Sequence, residues 1–322
     1  MKYHQLTENE RYQIYALNKA GHKQQTIATL LRRSPSTISR ELQRNKGLRG
    51  YRPGQAQRLS DNRRNSAHKA RKIDAWVRHD IEALIRQELS PQQVAGYLER
   101  KKKLLLHHEA IYQLIYADKA AGGDLYRHLR IASKPYRKRY GSYDRRGKIP
   151  NRRGIEERPA IVEKRSRIGD WEGDTIIGKG KRSALLTLLE RKTLYAIIVK
   201  LQGKNAEQLA DAAIDAMRRI KDRVKTITFD NGLEFAKHER MAAALDTDIY
   251  FANPYCSWER GANENVNGLI RQYLPKGTDF NEVTDVEIKA IMERLNNRPR
   301  ETRGFKSPNE LFMGQRVNLF AA

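Results

Sequence analysis

The chain reads as a multidomain protein: an all-α N-terminal region of helix-turn-helix type joined to an α/β domain built on a mixed five-stranded sheet. Three observations predict this: uneven charge, capped helical periodicity in the first half, and a strand-rich pattern in the second. At 322 residues, a prior of roughly 150 residues per domain gives about two domains. Residues 1–160 hold 36 Lys and Arg against 15 Asp and Glu, whereas residues 161–322 hold 27 against 23. The formal net charge of +25 implies a polyanionic partner, either nucleic acid or an anionic membrane surface. No apolar run approaches the ~18 residues needed to span a bilayer, which disfavours the membrane. The segment MKYHQLTENERYQ lacks the apolar core of a signal peptide, and Cys256 is the single cysteine. A cytoplasmic protein is expected, without a disulfide framework or a cysteine-rich zinc module.

The helices come first. In LTENERYQIYALNKAG, Thr7 followed by Glu10 has capping-box spacing, Ile14, Leu17 and Ala20 share a face, and Gly21 supplies a stop. KQQTIATLLRR continues with Ile27, Ala28, Leu30 and Leu31, and Ser34 with Pro35 opens a third helix, SPSTISRELQRN. Three short helices with a tight second turn predict a helix-turn-helix. On the third, Ile38 and Leu42 face inward. Ser36, Thr37, Arg40, Gln43 and Arg44 are the candidate DNA-contacting residues, since Arg reads guanine edges and Gln reads adenine. The competing reading is an amphipathic helix with a solvated polar face.

A second unit of the same type is expected from SPQQVAGYLERKKK, opened by Ser90, Pro91 and Gln93, and from HHEAIYQLIYADK. Between the two units, YRPGQAQRLSDNRRNSAHKARK fits a helix or a flexible connector equally well. From Lys134 to Arg158, ten basic residues stand against three acidic ones, with Tyr, Pro and Gly interleaved and no apolar periodicity. This reads as a linker. The expected division is therefore 1–50, 51–132, a basic linker over 133–160, and an α/β domain over 161–322.

In the last of these, IGDWEGDTIIGK, SALLTLLER and LYAIIVKL read as strands, followed by a helix over about 205–221 and the strand TITFD. A helix near AKHERMAAAL, a strand DIYF and a long helix from about Gly261 complete the pattern. Three strands joined by short turns run antiparallel, and strands reached through helices add in parallel. Asp174 falls in the first strand, Asp230 closes the fourth, and Glu264 lies in the first turn of the long helix, with 33 residues between the last two. Carboxylate oxygens are hard ligands suited to Mg²⁺ or Mn²⁺. Two such ions activate an attacking oxygen and stabilise a leaving one in phosphodiester chemistry. Asp170, Glu172 and Asp174 alternate along one strand and share a face, so periodicity alone does not choose among them.

The strings DWEGD, DNGLEFAKH, PYCSWERGANENVNGLIRQYLPKG and NNRPRETRGFKSPNELF resemble transposases of the insertion-sequence-thirty family, relatives of retroviral integrases. The resemblance covers nearly the whole chain and is most specific in the Asn-Glu-Asn segment. It implies a ribonuclease-H-like catalytic domain, a DDE triad of Asp174, Asp230 and Glu264, and two Mg²⁺ or Mn²⁺ ions. It favours Asp174 as the first carboxylate because integrase-like enzymes place the metal-binding Asp three residues after a Trp, here Trp171. The bland reading of Asp230 and Glu264 is a turn residue and a helix N-terminal acid.

Asn267, Arg271 and Lys276 extend the site toward DNA, sharing or following the face of Glu264. Glu172, Asn231, His238 and Trp258 are accessory candidates, His238 for placing a water or a 3′ hydroxyl and Trp258 for stacking on a base. The expected activity is binding of an element's terminal inverted repeats followed by strand cleavage and transfer into target double-stranded DNA. No covalent protein intermediate is needed. Two ends brought together imply a homodimer or larger assembly, with no membrane. A non-catalytic DNA-binding regulator and a purely hydrolytic ribonuclease-H-like nuclease are the alternatives.

Overall fold

Thr7 and Glu10 form the capping box their spacing predicts, opening α1 (Glu8–Lys19) with the Thr7 hydroxyl accepting from the Glu10 N–H. In this computed structural model, residues 5–66, 73–130, 149–203, 205–253 and 261–321 are described. They fall in two units, Met1–Lys72 and Ile73–Ala322. In the first, α1 is followed by α2 (Gln24–Leu30), α3 (Pro35–Asn45), a two-residue hairpin of β1 (Lys46–Gly47) and β2 (Gly50–Tyr51), and α4 (Pro53–Ser66). The stretch left open between helix and connector is therefore helical over α4. Ser34 does precede α3, but its hydroxyl caps no N–H and instead meets the Ser36 hydroxyl at 2.8 Å. Ile14, Ile27, Ile38 and Ala56 are fully buried. Beside them Arg11 Nε donates to Glu41 Oε1 at 2.8 Å, and the Tyr51 hydroxyl donates to the same oxygen at 3.1 Å. A buried arginine is tolerated because its charge is paired and its remaining donors reach Leu6 O and Gln57 Oε1.

The second unit begins with α5 (Ala75–Arg86), α6 (Pro91–Lys102) and α7 (His108–Ala120). Ser90 and Gln93 cap α6 reciprocally, as expected. Ile81, Leu84, Val94, Leu98, Ile111 and Ile115 make a core that also takes in Leu319. The contact with the end of the chain is close: a Cβ on Gly96 would lie 2.2 Å from the Phe305 ring. The Tyr97 hydroxyl accepts from the Leu319 N–H at 2.9 Å, and Gln93 Nε2 donates to Pro299 O at 3.0 Å.

After α8 (Ala160–Glu163) come β3 (Asp170–Ile177), β4 (Ala184–Glu190), β5 (Ala196–Leu201), α9 (Ala206–Arg218), β6 (Thr226–Phe229), α10 (His238–Leu245), β7 (Asp248–Phe251) and α11 (Gly261–Tyr273). The strands form one mixed sheet in the order β5-β4-β3-β6-β7. β4 pairs antiparallel with β3 and β5, and β6 pairs parallel with β3 and β7. This is the ribonuclease-H-like arrangement of a hairpin meander extended by helical crossovers. β4, ALLTLLE, is buried at every position, as a strand covered on both faces must be. One face packs Leu186 and Leu188 against Leu209, Ala213 and Met217 of α9. The other packs Leu185 and Leu189 against Val266, Leu269 and Ile270 of α11 and Ile288 and Ile291 of α12 (Asp285–Asn297).

Two readings need correcting. The end of the stretch taken as a linker, residues 149–160, joins the sheet domain: Ile149 is buried in its core and Phe251 N–H donates to Arg153 O at 2.9 Å. A single bridge of this kind carries no periodicity to read. In addition, α12 and α13 (Pro308–Phe312) were not foreseen, although each opens with a capping box, Thr284 with Glu287 and Ser307 with Glu310. No helix among the described residues is long and apolar enough to cross a membrane.

Candidate active site

β3 and β6 run parallel, so residues of equal phase share a face of the sheet. Carried two residues further, the register that pairs Asp170 with Thr226 and Glu172 with Thr228 brings Asp174 level with Asp230, which follows β6 directly. The three acids that periodicity could not separate have different surroundings. Asp170 is fully buried, held by Arg167 at 3.0 Å and by the Thr226 hydroxyl at 2.9 Å. Glu172 is fully buried against Arg191 at 2.7 Å, and Arg191 also reaches Glu163 at 3.1 Å. Asp174 is half-buried and accepts from neutral donors: Asn267 Nδ2 at 2.7 Å and the Thr175 N–H at 2.9 Å.

Asn267 ties α11 to this point, and its amide oxygen accepts from the Thr187 hydroxyl of β4 at 3.2 Å. Glu264, exposed, lies one helical turn before Asn267 and so on the same side of α11. Asp230 Oδ1 accepts from the Gly232 N–H at 2.9 Å, closing the tight turn that Asp-Asn-Gly favours. Asn231 Nδ2 donates to Ala252 O at 2.6 Å, and its amide oxygen accepts from Arg152. A fourth acid, Glu234, accepts from the Thr175 hydroxyl at 2.9 Å. It went unnoticed because it sits in a short 3₁₀ turn, Leu233–Phe235, where no periodicity marks it. Among the described residues, no three His, Cys, Asp or Glu side chains are gathered closely enough to hold a metal ion. Extended past its last pair, Glu172 with Thr228, the β3–β6 register puts the positions of Asp174 and Asp230 level, and Glu264 is not gathered with them into a metal-ligating group among the described residues.

Other expected residues fall elsewhere. Arg271 donates to Ile177 O at 2.6 Å and to Leu274 O and Pro275 O, with Phe280 beneath its guanidinium. Burial lowers its pKa, and these carbonyls brace it, half-buried, at the end of α11. His238 is buried edge-on to Phe251, ring centroids 5.0 Å apart. It is a packing residue at the start of α10, removed from the solvent-facing role expected of it. Lys276 is exposed just past α11. Trp258 lies outside the described residues. In the first unit, Ser36, Arg40, Gln43 and Arg44 are exposed and Thr37 is half-buried. Thr37, Arg40 and Arg44 line one hollow with Arg63 of α4, a cation the sequence reading passed over.

Residues 2–45 match the family model described as a helix-turn-helix domain. The transposase for insertion sequence element IS4351 of Bacteroides fragilis is 44% identical over 309 residues, covering 95% of each chain. The transposase InsI for insertion sequence element IS30A of Escherichia coli (strain K12) is 37% identical, covering 95% of this chain and 82% of that one. The chain belongs to the IS30 family of insertion-sequence transposases. A further relative of this transposase, that of insertion sequence element IS1086 from Cupriavidus metallidurans, is 37% identical over 95% of this chain and 94% of its own. Among solved structures, the catalytic core domain of BIV integrase is similar to the transposase over 46% of this chain and 95% of that one, with 17% identity and a TM-score of 0.36.

Proposed function

We propose that this chain binds the terminal inverted repeats of a mobile DNA element, cuts the strands at its ends and joins them to target DNA, using Asp174, Asp230 and Glu264 as the catalytic carboxylates. The observation that carries the reading is the parallel β3–β6 register, which, extended two residues, puts Asp174 level with Asp230 just past β6, with α11 fastened to Asp174 through Asn267. The donor set fits a hard divalent cation, being all carboxylate oxygen. Asp174, Asp230 and Glu264 are the residues that would hold Mg²⁺ or Mn²⁺, two ions per site. When bound, the ions lower the pKa of an attacking water or 3′ hydroxyl and stabilise the leaving oxygen. Asn267 fixes the direction of Asp174 Oδ2, and the Thr175 N–H fixes Oδ1. No side chain here needs to act as a covalent nucleophile. Ser36, Thr37, Arg40, Gln43 and Arg44 present the base-reading face of α3, and Lys276 adds a phosphate contact beyond α11. We assign the first unit, Met1–Lys72, to DNA recognition, the helices α5 to α7 to a second helical DNA-binding region, and the sheet domain from residue 149 onward to catalysis. The active form is a homodimer or larger assembly on DNA, in the cytoplasm.

The test is strand transfer by the full chain and by Asp230→Ala on labelled DNA carrying the parent element's ends, with Mg²⁺ or EDTA. Joined products that require both the metal and Asp230 are expected. Specific binding with no cutting or joining under any metal would leave a DNA-binding regulator, and cleavage without joining would leave a hydrolytic nuclease.

A further inference from the structure

Beside α11 lies a cavity of about 490 Å³ whose lining includes Arg130, Arg298 and Arg300 along with Asn265, Tyr112 and Leu269. Two of the three arginines are buried: Arg298 is 3% exposed and Arg300 is 7% exposed. Arginine at that depth is normally matched by carboxylates in good geometry. Here Glu88 approaches Arg298 only to 3.9 Å, and the other acid on the wall, Glu301, is exposed. Among the described residues, the hydrogen bonds of these two arginines go to neutral groups. Arg298 donates to the Tyr273 hydroxyl at 3.1 Å and Arg300 Nη2 to Leu295 O at 3.1 Å. Arg300 Nε is buried and has no hydrogen-bond partner among the described residues. Burial, with Arg298 and Arg130 close by, pulls the Arg300 pKa down to about 10. The cluster is an arrangement of donors and positive charge that an anion would complete.

We infer that this cavity binds a backbone phosphate of a DNA strand held next to the catalytic helix, with Arg130, Arg298 and Arg300 as its donors. Guanidinium forks match phosphate oxygens in pairs. The volume exceeds what a bare phosphate fills, and Tyr112 and Leu269 offer an apolar wall for the adjoining sugar or base. Asn265 and Leu269 of α11 border the cavity, so a strand seated there passes alongside the helix that carries Glu264. The inference deepens the reading of the chain as a DNA-joining enzyme, and it is tested without catalysis.

The experiment is binding of a 5′-phosphorylated trinucleotide to the full chain in EDTA, by calorimetry, with inorganic phosphate as a second probe. Arg130→Gln, at an exposed position, and Arg300→Gln are each expected to weaken trinucleotide binding about tenfold. The slope of log affinity against log salt should fall by about 0.7 for each lost contact. Arg218→Ala, on the exposed face of α9, should leave this binding unchanged. Thermal melting checks that Arg300→Gln is folded, and Arg130→Gln decides the matter if it is not. Unaltered trinucleotide binding in Arg130→Gln, or inorganic phosphate binding as tightly as the trinucleotide, would overturn the assignment. Strand transfer is a separate readout: loss of trinucleotide binding with joining activity intact would sink neither the triad nor the family reading.

Discussion

At its start, β3 carries Asp170 and Glu172, fully buried and answered by Arg167 and Arg191; two residues on it carries Asp174, half-buried and answered by an amide and a peptide N–H. One strand thus treats the same chemical group in two ways. Where arginine is the partner, the carboxylate is committed to the fold, and its charge is already neutralised. The amide and the peptide N–H at Asp174 carry no net charge, so these two contacts orient the carboxylate without neutralising it. The lesson is that the partner, more than the acid itself, separates a structural carboxylate from a catalytic one.

The largest effect should come from the middle of the strand. Asp174→Asn is expected to lower strand joining on the order of a thousandfold or more, while its denaturant midpoint stays near that of the parent chain. A loss of stability as great as that of an Arg-paired acid would erase the distinction. Next, Glu172→Gln removes the buried partner of Arg191, leaving it the exposed Glu163, and should cost about 3–5 kcal/mol in chemical unfolding; a cost under about 1 kcal/mol would show that the pair is not buried in solution. Smaller again, Asn267→Ala should slow single-turnover cleavage by about tenfold, the worth of one hydrogen bond to a charged group. Unchanged cleavage would mean that Asp174 needs no such guide.

The smallest effect comes from an acid paired with arginine nearer the surface. The side-chain hydrogen bond from Arg33 holds Glu10 at about 2, below its ordinary 4.5. A depressed carboxyl stabilises the fold above the unfolded pKa and loses that contribution as pH falls from about 4.5 through about 2. A side-chain NMR titration of the full chain should find the Glu10 inflection near 2, and Arg33→Ala should return it to the ordinary range.

The sequence made the local features readable and left the cross-chain ones hidden. Capping boxes at Thr7 and Ser90, the strand of DWEGDTII and the Asp-Asn-Gly turn all depend on neighbours within a few positions. The sorting of Asp170, Glu172 and Asp174 depends partly on Arg191, from the end of β4, and on Asn267, from α11; neither is near in sequence. The same holds for Arg271, whose role is set by the Ile177 carbonyl 94 residues away. Helix α12 is a different case. Its Thr284 and Glu287 were legible by the same rule that found α1.

The seam between α6 and the chain's end sets an order of events during synthesis. Tyr97 leaves the ribosome 222 residues ahead of Leu319, whose amide its hydroxyl finally receives. Gly96 likewise waits for the Phe305 ring that will lie flat against it. Until Phe305 and Leu319 have been made, that face of α6 lacks the groups that cover it. A nascent chain stalled short of Phe305 would present this face uncovered to chaperones and proteases.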